Sequence, residues 1–154
     1  MFKNIKNLFP VFEKKPNLVF LDTAASALKP KEMIDATNNC YSYEYANVHR
    51  GLYSLSSNLT KNFENVRIQV SDFISANSEE NIIFTKSATE GINLVSSCLS
   101  DNYFNDGDEV LLTSLEHHAN LVPWHLVSKK IKIITAKIKS TGELDYNDLL
   151  AKIN

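Results

Sequence analysis

The hydrophobic positions change period several times along the chain, and two stretches have the period of a helix. Between residues 56 and 74, apolar side chains recur at spacings of three, four and seven, as on one face of an amphipathic helix. These positions are Leu59, Phe63, Val66, Val70, Phe73 and Ile74. A later stripe consists of Ile92, Val95, Cys98 and Leu99. Pro30 suits the first turn of an earlier helix that runs to about Tyr45.

Short apolar runs predict strands. Two of these runs lie close before or after a helical stretch. The runs are residues 18–21, 82–84, 110–112 and 131–134. The last three are too short for helices and rich in β-branched residues, which is typical of strands buried on both faces. Because strands alternate with helices, the chain is expected to form an α/β fold with a largely parallel sheet.

Turn residues and capping residues complete the predicted order of elements. Turns are predicted at residues 106–107 and 141–142, which both contain Gly, and a loop at 46–55. Asp145 is predicted to cap a last helix that runs to about Ile153. Residues 1–16 are predicted to form an arm or short helix that leads into a domain at 17–154.

Composition and charge exclude several classes of function. The hydrophobic fraction of 44% and charged fraction of 22% are ordinary for a soluble globular domain. A net charge of -2 lacks the positive field of a dedicated nucleic-acid binder. No stretch suits a membrane span, and the first residues lack the apolar core of a secretory signal. Cys40 and Cys98 form no C-x-x-C pair, so a reduced cytoplasmic setting is expected.

The first chemically rich segment is T-K-S-A-T-E-G at residues 85–91, which follows a predicted strand and opens a helix. Ligands bind at the carboxyl ends of strands in open α/β sheets. Free amides and the dipole at a helix start favour a phosphate dianion, and the Thr89 hydroxyl is a further donor. The alternative is that Ser87 or Thr89 only caps the helix. The motifs of P-loop and dinucleotide-binding proteins are absent.

The second segment, residues 113–120, also follows a predicted strand and contains adjacent histidines. A histidine at such a position can stack on a planar ring, bind a metal or move protons. His117 and His118 are expected to point in different directions, which makes a poor chelate. A metal-dependent hydrolase centred on Glu116, His117 and His118 is therefore the weaker interpretation. A structural histidine is the other alternative, and it suits His118 better than His117.

Four motifs occur in a fixed order and at fixed spacing. They are L-D-T-A-A-S-A at 21–27, V-H-R-G at 48–51, S-A-T-E-G-I-N-L-V at 87–95 and E-H-H-A-N-L-V-P-W at 116–124. Together they resemble the class V aminotransferase-like pyridoxal-phosphate (PLP) enzymes, and within these the SufS-type (group II) cysteine desulfurases. The resemblance runs from about Leu18 to the end of the chain. It implies the N-terminal portion of a fold type I PLP-dependent transferase large domain, with an incomplete, mixed and mostly parallel sheet.

The resemblance implies a role for each matched position. His117 corresponds to the catalytic histidine that stacks on the pyridine ring and helps proton transfer. Thr89, with the amide of Ala88, corresponds to part of the phosphate cup, and Asn120 to a polar residue close to the cofactor. The matches near the substrate are Ala24, Ala25, His49 and Arg50. Glu90 corresponds to a residue at the dimer-related face.

The family's remaining chemistry is expected beyond residue 154. There the family has the lysine that binds PLP covalently, the aspartate at the pyridine nitrogen, the arginine for the substrate carboxylate and the nucleophilic cysteine. The family sheet also places later strands between the strand at 82–85 and the other two. Unpaired strand edges therefore predict poor independent folding. The chain alone is expected to be inactive, as a fragment or as half of a split enzyme.

The leading interpretation is a cysteine desulfurase, which converts L-cysteine to L-alanine and leaves an enzyme-bound persulfide for iron–sulfur cluster assembly. The implied partners are a second copy or a complementary C-terminal polypeptide, and a sulfur-acceptor protein, with neither nucleic acid nor membrane. Selenocysteine lyase and kynureninase are sister alternatives. The non-catalytic alternative is an inactive remnant or interaction fragment.

Overall fold

The computed structural model describes residues 5–127 and 130–154 and divides into two compact units. Unit 1 is Met1–Ile82 and unit 2 is Ile83–Asn154. The division predicted at residue 16, between an arm and a domain at 17–154, stays a prediction.

Helices form the regular structure of unit 1. Its α-helices are α1 at Val11–Lys14, α2 at Lys31–Asn39 and α3 at Ser54–Ile74, with 3-10 helices at Ile5–Leu8 and Glu79–Asn81. As predicted, α2 begins directly after Pro30, and a π-helical turn at Cys40–Glu44 extends it almost to Tyr45. The short helices of the arm also agree with the sequence.

The long helix α3 confirms the strongest periodic signal in the sequence. It ends at Ser75, which takes a left-handed conformation with φ of 56°, and the Ala76 amide then bonds to the Ser71 carbonyl at 2.9 Å. This pairing satisfies a carbonyl that the last turn leaves open. The buried positions of α3 are Ser56 and Ser71, whereas Phe73 on the predicted apolar stripe is 88% exposed. The stripe therefore exists but stays largely uncovered.

The strands predicted at residues 18–21 and 82–84 are wrong, because both segments have an extended or irregular backbone without ladder pairing. A strand is defined by hydrogen bonds to a neighbour, and no neighbour pairs with these segments in the part of the chain that the structure describes. Leu21 is 89% exposed and Phe84 is 55% exposed. The carbonyl of Ile82 instead accepts a hydrogen bond from the Arg67 guanidinium on α3.

Unit 2 contains the α/β part of the described chain. Its elements are α4 at Ala88–Asn102, β1 at Glu109–Thr113, a 3-10 helix at His118–Asn120, α5 at Val122–Leu126, β2 at Lys132–Ala136 and α6 at Tyr146–Leu150. None of the described helices in either unit is long and apolar enough to cross a membrane.

The two strands pair in parallel, which confirms the predicted sheet type. Val110 lies opposite Ile133 and Thr113 lies opposite Ala136. At one end, Gly107 takes a φ of 97° and its amide bonds to the Lys130 carbonyl at 3.0 Å. Leu112 and Ala136 are buried, so the small core of unit 2 lies at this sheet.

The last helix begins as predicted but is shorter. The Asp145 carboxylate accepts hydrogen bonds from the amides of Asn147 and Asp148 at 3.1 and 3.2 Å, which caps α6. The helix ends at Leu150 rather than at the predicted Ile153.

Candidate active site

The entry to α4 is held by a reciprocal cap. Ser87 is the N-cap residue, and its hydroxyl accepts a hydrogen bond from the Glu90 amide at 3.2 Å. The Glu90 carboxylate reaches back and accepts a hydrogen bond from the Lys86 amide. This is the arrangement of a capping box, shifted by one residue at its start. The sequence alternative of a cap at Ser87 or Thr89 is thus confirmed at Ser87.

The first two residues of α4 leave groups open for a ligand. Ala88 and Thr89 are exposed, and amides in the first turn of a helix have no partner within the helix. Because Ser87 already serves the cap, the hydroxyl that remains beside these amides belongs to Thr89. An anion would be favoured here by the amides and by the helix dipole.

Replacement of Ser87 by Ala is expected to lower the free energy of unfolding of unit 2 by about 1 kcal/mol, because the Glu90 amide loses its acceptor. Chemical denaturation followed by the fluorescence of Trp124, the single tryptophan of the chain, measures this change. Ser97→Ala on the exposed surface of the same helix is the control and should cost nothing. Equal effects of the two substitutions would contradict the capping role.

His117 lies in the loop after β1 with its imidazole orientation fixed by a local hydrogen bond. Its Nδ1 accepts the amide of Ala119 at 3.0 Å. A neutral imidazole that accepts at Nδ1 carries its proton on Nε2, so Nε2 is then the donor of the ring. The His118 ring lies edge-on to the His117 ring at a centroid separation of 6.4 Å, and both residues are exposed.

Glu116 is the residue of this loop whose role the sequence did not reveal. Its carboxylate accepts hydrogen bonds from the Thr113 hydroxyl at 2.7 Å and from the Asn120 side-chain amide at 2.8 Å. The Asn120 oxygen in turn accepts the indole N–H of Trp124 at 3.1 Å. The signal in the sequence is the spacing of these residues, because Thr113, Glu116, Asn120 and Trp124 lie three, four and four positions apart. The sequence pattern suggests Glu116 only as a metal ligand.

These hydrogen bonds change the acidity of Glu116. The Thr113 hydroxyl, followed by the Asn120 amide, lowers the pKa of Glu116 below its ordinary value of 4.5, and partial burial opposes them. A carboxyl group with a lowered pKa in the folded state stabilises the fold above its unfolded pKa. That contribution is lost as the pH falls from 4.5 through the pKa of the folded state.

The stability of unit 2 is therefore expected to fall as the solution is acidified below 4.5. Trp124 fluorescence in denaturant titrations across this range measures the slope. Glu116→Gln should have a lower stability at neutral pH and a smaller loss on acidification. Glu143→Gln, which removes an exposed carboxylate bonded to the Thr141 hydroxyl, should keep the wild-type slope.

Among the described residues, no three side chains of His, Cys, Asp or Glu gather as a metal ion would require. Glu116 in particular is already surrounded by hydrogen-bond donors.

In unit 1, the loop that carries His49 is fastened to the first turns of α3. His49 takes a left-handed conformation with φ of 69°, and its amide donates to the Thr60 hydroxyl at 3.0 Å. The Ser56 hydroxyl donates to the Asn47 carbonyl at 2.5 Å. The same Thr60 hydroxyl donates to the Ser56 carbonyl at 2.8 Å, so both loop contacts belong to one network.

The predicted substrate residues of unit 1 are exposed. His49 Nε2 lies 3.1 Å from a carboxylate oxygen of Glu64, and the ring meets Phe63 edge-on. Arg50 extends from the same loop into solvent. Ala24 and Ala25 lie in a separate turn, in which the amide of Ala25 bonds to the Asp22 carbonyl at 3.1 Å.

In unit 2 the predicted cofactor residues lie on elements that touch. Helix α4, which begins at Ala88, packs against the 3-10 helix that His117 caps, and α5 packs against both. The Trp124 ring on α5 also lies 6.4 Å from the ring of Phe104. An exposed helix start and an exposed imidazole are thus presented by adjacent elements.

Comparison with known proteins gives a consistent result. The family model described as "Aminotransferase class-V" matches residues 19–154. A cysteine desulfurase of Yersinia pseudotuberculosis serotype O:1b (strain IP 31758) is 44% identical over 151 residues, which is 95% of this chain but 37% of that protein. The chain therefore spans little more than a third of the length of this relative.

Solved structures agree with the fold. The apo cysteine desulfurase of Thermococcus onnurineus NA1 aligns with a TM-score of 0.86 and 33% identity over 95% of this chain and 36% of that one. The cysteine desulfurase CsdA of Escherichia coli aligns with a TM-score of 0.80 and 33% identity over 97% and 38% of the two chains. The predicted fold, part of the α/β domain that these enzymes share, is confirmed.

Proposed function

Because the chain belongs to the class-V aminotransferase family, we propose that it is the N-terminal part of a PLP-dependent cysteine desulfurase. The proposed reaction takes sulfur from L-cysteine, leaves L-alanine and forms a persulfide on an enzyme cysteine. The observation that carries the proposal is the pairing of an exposed helix start at Ala88 and Thr89 with an exposed histidine on a contacting element.

The residues of unit 2 fit a PLP group. Ala88 and Thr89 would hold its phosphate through their amides and the Thr89 hydroxyl, since Ser87 is committed to the cap. His117 would lie against the ring, with Asn120 close by. Bound PLP supplies the electron sink that weakens bonds at the substrate's α carbon. His117 would carry and return a proton at Nε2, because Nδ1 is held by the Ala119 amide.

The remaining assignments follow the matched motifs. Ala24 and Ala25 offer a turn without bulky side chains, which would admit the carboxylate end of the substrate. His49 and Arg50 are proposed for substrate binding, on a loop that Thr60 and Ser56 hold in place. Glu90 is proposed for the dimer-related face, in addition to its contact with the Lys86 amide.

The finer identity proposed is a SufS-type (group II) enzyme that serves iron–sulfur cluster assembly in the cytoplasm. The four motifs at 21–27, 48–51, 87–95 and 116–124 support this subtype. Cys40 and Cys98 are free thiols, in keeping with a reducing compartment. A second copy or a complementary C-terminal polypeptide would complete the enzyme, and a sulfur-acceptor protein would receive its product.

A second candidate is a non-catalytic piece that binds a complementary polypeptide. The observation in its favour is the amount of uncovered apolar surface, because large exposed apolar patches mark interaction sites. The exposed side chains include Val19, Leu21, Phe73, Ile83 and Tyr103. Within the described residues the β1–β2 sheet has two strands and thus two open edges, which invite strand addition.

The test is a turnover assay on the natural polypeptide that contains residues 1–154, with PLP, L-cysteine and a reducing thiol. Alanine and sulfide in equal amounts are expected, with faster release from selenocysteine pointing to the lyase alternative. Production of alanine only after co-expression with a complementary polypeptide would support a split enzyme. Bound PLP without alanine would overturn the proposed reaction, and failure to bind PLP would favour the non-catalytic piece.

A further inference from the structure

We propose that Glu116 is a positioning residue for His117, and that Asn120 and Trp124 complete the polar chain through which it acts. The inference deepens the proposed function, on which its catalytic meaning rests. The geometry itself concerns only how one imidazole is held in the loop after β1.

The polar chain has a fixed direction. Thr113, the last residue of β1, donates its hydroxyl to Glu116, and its amide points to the same oxygen at 3.3 Å. Asn120 donates its amide to the other oxygen of Glu116 at 2.8 Å. Trp124 Nε1, which can only donate, fixes the Asn120 oxygen as an acceptor at 3.1 Å. An ionised carboxylate, which has acceptors only, suits donors at both of its oxygens.

The direction of these hydrogen bonds changes the role that is assigned to Asn120. Both ends of its side chain are occupied within the protein, by Glu116 and by Trp124. The proposed proximity of Asn120 to the cofactor is then a matter of location, whereas its hydrogen bonds serve the loop. A flipped amide would place two donors, its own nitrogen and the indole, against each other, so the orientation is determined.

The location of this polar chain along the sequence has a consequence for His117. Glu116 bridges the end of β1 to Asn120, and His117 and Ala119 lie inside this closed segment. Within this segment the Ala119 amide meets His117 Nδ1 at 3.0 Å. The carboxylate therefore keeps Nδ1 engaged and presents Nε2 as the free donor. The lowered pKa of Glu116 agrees with an ionised group at this position.

The test is amide hydrogen exchange measured by NMR on the natural polypeptide that contains residues 1–154, without added cofactor. Glu116→Gln keeps the size of the side chain but replaces one acceptor oxygen with a donor, so it cannot accept from both the Thr113 amide and the Asn120 side chain. We expect the Ala119 amide to exchange about tenfold faster in this variant, and the His117 Nδ1 resonance to lose its hydrogen-bonded shift. Trp124→Phe removes the far donor and part of the buried ring that packs against Phe104, and it should give about a threefold increase. Glu143→Gln, the matched control, should change neither reading.

Amides of the β1–β2 ladder separate positioning from general destabilisation, and they should keep wild-type exchange rates in Glu116→Gln. Unchanged exchange at Ala119, or equal acceleration at Ala119 and along the ladder, would overturn the proposal. PLP binding is measured separately by absorbance. Wild-type protein that fails to bind PLP but shows the Ala119 effect contradicts only the proposed function. PLP binding without that effect contradicts only the positioning role.

Discussion

Replacement of His117 by Ala is expected to lower kcat of the proposed desulfurase by about 10²- to 10⁴-fold, the range in which a positioned proton-transfer group contributes. The structure gives the physical reason. Nδ1 is held by the Ala119 amide, which leaves Nε2 as the single nitrogen that is free to exchange a proton with substrate. Alanine formation by the PLP-loaded natural polypeptide measures the effect.

His118→Ala is the matched control for this prediction, because the neighbouring ring is also exposed and lies only 6.4 Å away between ring centroids. It should retain activity within about threefold, as expected for an exposed side chain that is assigned no role in the reaction. Loss of PLP absorbance in His117→Ala would assign the residue to binding. Equal losses in the two variants, or a wild-type rate in His117→Ala, would contradict the assignment of proton transfer to His117.

The elements predicted correctly are those whose cause is local. Helix α3 follows from the spacing of its own apolar residues, and the cap at Asp145 follows from an acceptor beside two free amides. The β1–β2 pair also forms as expected, because its two runs are joined by a short connection within the same unit, and the Gly107 amide before β1 bonds to the Lys130 carbonyl before β2. Each of these elements is determined by residues that lie within a few tens of positions of one another.

The elements predicted wrongly depend on a distant partner. Residues 18–21 and 82–84 have strand composition, but composition does not supply the neighbour whose hydrogen bonds make a strand. Buried Ile82 shows that the second segment is partly packed, and its carbonyl bonds to Arg67 rather than to another strand. The resemblance to desulfurases indicated this outcome, since it placed later strands beside that segment.

The same distinction explains which parts of the candidate site were foreseen. His117 and Thr89 were identified because their motifs carry recognisable chemistry. Glu116 was missed because its contacts run to residues three and four positions away through a fold that the sequence pattern does not describe. Local spacing could have suggested a link between Glu116 and Asn120. It could not have shown that Trp124 fixes the direction of the amide.

In the long helices, small polar residues are buried and large apolar residues are exposed, which is the reverse of the usual pattern and affects stability. The buried positions of α3 and α4 are serines, whereas Val95 on the apolar stripe of α4 is 51% exposed. In these helices the closest contacts are therefore made by small residues. The larger apolar side chains remain exposed and can pack against another surface. A small residue at a close contact tolerates no added atom, and Gly51 is the extreme case in this chain.

Replacement of Gly51 by Ala is expected to destabilise unit 1 by about 3 kcal/mol, the upper range for overpacking. A Cβ at this position would lie 2.3 Å from the Ser56 hydroxyl oxygen and 2.4 Å from Ser56 Cβ. Ser56 cannot retreat, because it is fully buried on α3 and its hydroxyl holds the Asn47 carbonyl. The cost is steric, since Gly51 does not have a positive φ.

Amide exchange along α3 measures this loss in unit 1, while Trp124 fluorescence reports on unit 2 and should stay unchanged. In a Ser56→Gly background the two nearest atoms are absent and only the Tyr53 ring edge stays close, at 2.9 Å, so adding Gly51→Ala should cost less than about 1 kcal/mol. A full 3 kcal/mol loss in that background would place the strain elsewhere. Because the displaced loop carries His49 and Arg50, the single substitution should also reduce turnover of the natural enzyme, and restoring the rate in the double variant would tie activity to this one contact.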